Sequence, residues 1–118
     1  MAVLAINKLE LAGVDPDALL VAAAAGGDTV PNQNDRVFVL VRNGGAGPVT
    51  VTVNDVRSSG PEGAAAFNPD VQISVPAGAD RFIGVFDPNR FNNDVGHVEL
   101  TYSDVTSVQV AAFAATRR

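Results

Sequence analysis

The sequence predicts an all-β fold: a single small β-sandwich, Ig-like or jelly-roll-like, of about six to eight short antiparallel strands. Short Val-rich runs alternate with polar residues at a period of two, the spacing that turns one face of a strand into a core. Clusters of Gly, Pro, Asn and Asp interrupt those runs too often for helices to intervene, which excludes βαβ units. The 118 residues are 47% hydrophobic but only 6% aromatic, with no Trp, so one thin core of small branched side chains is expected.

Taken in order, Ala2 to Ile6 is a short apolar run, followed by a turn at Gly13-Val14-Asp15-Pro16-Asp17. Residues 1–17 are therefore an N-terminal arm or first strand, and residues 18–118 the sandwich domain. Ala18 to Ala25 is rich in helix formers and has Asp17 as a possible N-cap. It is too short for a stable isolated helix, and an extended segment is favoured. After Pro31-Asn32-Gln33-Asn34-Asp35 comes Val37-Phe38-Val39-Leu40-Val41, a continuous apolar run expected of a central strand covered on both faces. The turn chemistry of Asn43-Gly44-Gly45-Ala46-Gly47-Pro48 and the alternating Val49-Thr50-Val51-Thr52-Val53 then predict a β-hairpin. Residues 55–70 read as a loop. Val71 to Val75 and Arg81 to Phe86 read as strands around a tight turn at Pro76-Ala77-Gly78-Ala79. A polar excursion, Asp87 to Gly96, precedes the last two strands, His97 to Tyr102 and Ser107 to Phe113, joined by a turn containing Asp104.

The chemistry-bearing residues are few. Cys is absent and His97 is alone, so thiolate metal sites and disulfides are excluded and a partly exposed strand-end His is expected. Ser103, His97 and Asp104 have no spacing that favours a triad, and no nucleophile elbow, P-loop, dinucleotide fingerprint or zinc-protease motif occurs. Most Asp residues fall in turns, where the side chain caps its own backbone. Asp87 to Asp94 offers oxygens like a calcium loop but lacks the sixth-position Gly and the closing Glu. No enzyme activity, metal or cofactor is expected. The net charge of −5 argues against a nucleic-acid backbone as partner, and no run is long enough to span a bilayer. The start lacks a basic leader with a long apolar stretch, so a signal peptide is not expected.

Three blocks carry a resemblance. They are Gly26-Gly27-Asp28-Thr29-Val30-Pro31-Asn32 with Arg36 to Gly44, Val75 to Pro88, and Val98-Glu99-Leu100-Thr101-Tyr102-Ser103. Together, over roughly residues 20 to 113, the chain resembles small virion structural proteins of tailed phages, notably capsid decoration (cement) proteins. Val85 stands where that pattern has Pro, and the 55–70 loop is longer. The resemblance implies a homo-oligomer, with a trimer favoured, made in the host cytoplasm. It would sit on the capsid exterior, bind the major capsid protein and stabilise the shell. A tail or head–tail connector subunit is the alternative within that class, and a carbohydrate-binding module the alternative outside it. For docking, the apolar N-terminal residues Val3, Leu4, Ile6, Leu9 and Leu11 are the candidates, with Arg90 and Phe91 of the polar excursion. The alternating strands offer only a polar row (Thr50, Thr52, Gln72, Ser74).

Overall fold

The structure, a computed structural model, describes residues 1–32, 36–56 and 70–115. Most of the 55–70 loop, residues 33–35 of the 31–35 turn and the terminal Arg117-Arg118 lie outside the described residues. Among the described residues ten strands form two sheets. They are β1 (Ala2–Val3), β2 (Ile6–Lys8), β3 (Val21–Ala22), β4 (Asp28–Pro31), β5 (Val37–Asn43), β6 (Val49–Val53), β7 (Val71–Val75), β8 (Asp80–Gly84), β9 (His97–Tyr102) and β10 (Val108–Ala114). One sheet, A, has the order β1-β4-β9-β6-β7; the other, B, has β2-β10-β5-β8, with β3 also on β10. The fold is the expected all-β sandwich.

Its topology is that of a jelly roll. From β3 onward the chain makes antiparallel pairs β3·β10, β4·β9, β5·β8 and β6·β7, as one long hairpin would with its tip between β6 and β7. Rolling that hairpin brings β10 onto β5 and β9 onto β6. Rolled this way, β5, β6 and β10 each bury a row of Val or Ala between the sheets. Two short parallel strands extend the roll at one side, β1 on β4 and β2 on β10. The chain crosses from one sheet to the other between them, with Leu4 buried at the crossing.

The expected hairpin of Val37–Val41 with Val49–Val53 is therefore not formed. The alternation of both strands is as read, but β5 and β6 lie in opposite sheets. The intervening turn is a sandwich corner, and Asn43 is the reason. Its buried side chain donates to Gly47 O at 2.8 Å and to Val75 O at 2.9 Å, while Oδ1 accepts from Gly45 N. Gly44 N donates to Ser107 O, and Gly78 N to Asn43 O. The three corners after β5, β7 and β9 are thus bonded to one another at one end of the sandwich, which sends each chain into the facing sheet.

The core lies between the sheets. Val30, Val51, Val53, Val98 and Leu100 of sheet A meet Val39, Val41, Val108, Val110 and Ala112 of sheet B. Each fully buried Val contributes about 1.5–3 kcal/mol relative to exposure. A second cluster covers the outer face of sheet B, where Leu40, Ala111 and Phe113 are packed by Leu9, Val14, Leu19, Leu20 and Phe38. Residues 9–20 run over that face and include a 3₁₀ turn at Pro16–Ala18. Its cap is Asp15, whose carboxylate accepts from Asp17 N. Beyond it the chain is extended at Val21–Ala22.

Candidate interaction surfaces

Among the described residues, the outer face of sheet A is the broad uncovered one. Along β6, β7 and β9 the outward residues are Thr50, Thr52, Gln72, Ser74, Glu99 and Thr101, in register across the sheet. Their inward neighbours Val49, Val51, Val53, Val75 and Leu100 are buried. A hydroxyl-rich face of this kind, with the Glu99 carboxylate among its hydroxyls, hydrogen-bonds water or a partner with equal ease.

The candidate docking residues are scattered by the fold. Leu4 and Phe91 are buried in the core, and Ile6 packs against it. Leu9 packs into the outer cluster on sheet B. Phe91 closes the sandwich end with its ring edge-on to Phe86, at 6.1 Å between centroids. Arg90 stacks over Phe91 and bonds the buried Asp55 at 2.6 Å. Val3 and Leu11 remain exposed, one on the short strand β1 and the other in the turn closed by Gly13 N to Glu10 O. These residues do not form one patch. The N-terminal segment is built into both sheets because its backbone completes ladders on β4 and β10, a long-range pairing that no local signal announces.

The residues of a hypothetical triad are also separated. His97 opens β9 and faces Thr29 Oγ1 at 3.3 Å. Ser103 lies beyond the other end of the strand, roughly 20 Å along it, where its hydroxyl accepts from Thr50 N. Asp104 caps Thr106 N, and that backbone bond lowers its carboxyl below the ordinary range. In the polar excursion, Pro88–Phe91 forms one helical turn (α1) capped by Asp87. Asn92 and Asn93 spend their carbonyl oxygens on Asn32 Nδ2 and on Val95 N and His97 N. No cluster of His, Asp and Glu fit for a metal ion occurs among the described residues.

Sequence reasoning missed the buried polar residues that join the resemblance blocks. Asp28, buried in the first block, accepts from Tyr102 Oη at 2.7 Å and from Ala24 N at 3.3 Å. Asn32, also buried, donates to Phe86 O in the second block and to Asn92. Arg42 forms a two-pronged pair with Asp80 and also reaches Asp17. Its hydrogen bonds hold the Asp80 carboxyl below the ordinary range. Those blocks are the parts of the chain that fasten one strand crossing to another. The signal available in sequence was polar residues inside apolar strands, at positions where the alternation demands an inward side chain.

Burial, reinforced by Asp28, pushes the Tyr102 hydroxyl well above its ordinary value. Tyr102→Phe leaves Asp28 short of a donor in a buried site, and a stability loss of about 1–3 kcal/mol is expected in urea unfolding. In the unfolded chain this phenol ionises near pH 10 while the folded one stays protonated. The wild type should therefore lose stability as pH rises past about 10, and the variant should lose that part of the alkaline slope. A variant as stable as wild type, with the same slope, contradicts the assignment.

No protein-family model, no curated protein and no solved structure matches this chain.

Proposed function

We propose that this protein is a virion structural component of a tailed phage that decorates the capsid exterior, binding the lattice of major capsid protein and stabilising it. The observation that carries the reading is the coincidence of the resemblance blocks with the fastening residues of a jelly roll. Gly27, Asp28, Asn32, Arg42, Asn43, Asp80 and Tyr102 fall within those blocks, and each bonds or crowds a neighbouring crossing. Jelly rolls serve as viral capsid domains, among other roles, so the fold raises this reading by analogy. A cement protein has to be rigid and already folded when it meets the lattice. Corners bonded to one another and a buried core between the sheets supply that rigidity, and an acidic balance favours solubility before assembly.

A sugar-binding role fits less well. Stacking on a pyranose wants exposed Trp or Tyr, and the one Tyr is half-buried with its hydroxyl committed to Asp28.

The test is a search of the neighbouring genes for a major capsid protein, and co-sedimentation of the purified protein with shells assembled from it. Saturable binding at a fixed ratio to capsid subunits, with a raised melting temperature of the shells, is the expected result. Absence of binding to mature-form shells, or a gene neighbourhood without a capsid gene, overturns the reading.

A further inference from the structure

We propose that β8, an edge strand among the described residues, pairs antiparallel with β8 of a second copy, about a two-fold axis at Phe82, so that the two B sheets become one continuous sheet. The backbone phase supports it. Asn43 N donates to Ala79 O at 3.0 Å. With the β5·β8 register this makes Asn43/Ala79, Val41/Arg81 and Val39/Ile83 the pairs that exchange hydrogen bonds. Asp80 and Phe82 therefore turn their N–H and C=O groups outward, away from β5. The guanidinium of Arg81 already reaches out to Asp80 O at 2.7 Å, which marks that carbonyl as edge-facing.

Asp80 and Arg81 give this edge two exposed charges, but Phe82, between Arg81 and Ile83, is a large exposed apolar side chain that a protected edge would not carry. Natural sheets blunt open edges with very short strands or polar residues. At the far side β1, β2 and β3 are two or three residues long. The other open edge, β7, exposes Gln72 and Ser74. On β8, by contrast, Phe82 is 71% exposed and nearby Val85 is 55% exposed. Phe82 also forms the outer wall of an apolar groove of about 380 Å³ whose floor includes Phe38, Phe113, Val14 and Pro16. Its ring meets Phe38 edge-on at 5.9 Å.

Charge selects the register and the occupant. Opposed residues must share a face, so a two-fold axis passes through a residue. An axis at Asp80 opposes two carboxylates, and one at Arg81 opposes two guanidinium groups, both unfavourable. An axis at Ile83 leaves the outward groups of Asp80 unpaired. An axis at Phe82 lets Phe82 bond its counterpart in both directions and sets Asp80 against Gly84 of the second copy. Having no side chain, Gly84 leaves the Asp80–Arg42 pair undisturbed. Arg81 then faces Ile83, and Phe82 stacks on Phe82 to carry the Phe38 strip across the axis. Only a second copy presents this self-complementary sequence. The contact is two-fold, in place of the three-fold assembly that the resemblance implies, and it does not depend on the capsid reading.

Because the chain has no Cys, a single one reports the register cleanly. At the axis the opposed Cα atoms lie about 5.5 Å apart, within disulfide reach. The two copies of residue 80 lie about 14 Å apart along the strands, out of reach. Phe82→Cys should cross-link to a dimer on mild oxidation and Asp80→Cys should not. In sedimentation equilibrium the wild type should show a concentration-dependent monomer–dimer equilibrium. Phe82→Lys should be a monomer at every concentration that still melts cooperatively, near the temperature of the wild type diluted to monomer, since residue 82 is exposed. A wild type that is monomeric throughout, or trimeric, overturns the proposal. So does a Phe82→Cys protein that fails to cross-link, or an Asp80→Cys protein that cross-links as readily.

Discussion

Val39→Asp is expected to abolish cooperative folding. Val39 has no exposed surface; it sits mid-strand in β5, between Ala112 of β10 and Ile83 of β8, and points into the layer between the sheets. An unpaired carboxylate in such a place costs several kcal/mol, against a total stability of about 5–15 kcal/mol for a domain of this size. The loss should be about 5 kcal/mol or more, visible as collapse of amide dispersion in an NMR spectrum at neutral pH. Val39→Ala should keep the fold with a loss of about 2 kcal/mol. A Val39→Asp protein that melts like the parent removes β5 from the centre of sheet B.

That prediction rests on a part of the fold that was readable in advance. The period-two reading put Val37, Val39 and Val41 on one face of β5 and Phe38 and Leu40 on the other. The structure has the first set between the sheets and the second in the outer cluster. The partner of β5 was not readable. A turn of Asn43, three glycines and Pro48 suits a hairpin and a sandwich corner equally well. What decides between them is the reach of Asn43 to Val75 O, a residue 32 positions away. The parallel strands β1 and β2 were hidden for the same reason: their ladders depend on β4 and β10. Among the candidate site residues, Phe91 is a plug and not a docking residue, because a lone Phe in a polar excursion gains more from an apolar neighbour such as Phe86 than from solvent. The burial of Asp28 and Asp55 was not legible, because turn Asp and buried Asp look alike until a donor such as Tyr102 or Arg90 arrives from elsewhere in the chain.

Gly27→Ala is expected to cost about 3 kcal/mol, from a left-handed backbone penalty of about 1–2 kcal/mol plus overpacking. Gly27 has φ +94°, and a Cβ there would stand 2.5 Å from Leu100 O on β9. That oxygen is backbone in a paired strand and cannot step aside. The neighbouring Gly26 meets nothing within 4 Å, so Gly26→Ala is the control and should shift stability by no more than about 0.5 kcal/mol. Urea midpoints measured side by side decide it. Equal behaviour of the two variants would mean that β4 does not approach β9 as closely as the jelly roll requires.

The most direct measurement of the proposed role is electron cryo-microscopy of particles made with and without this chain. The proposal predicts density the size of one small sandwich at regular positions on the outer surface of the shell, absent when the chain is omitted. Density confined to the neck or tail, or shells indistinguishable in the two preparations, would contradict capsid decoration.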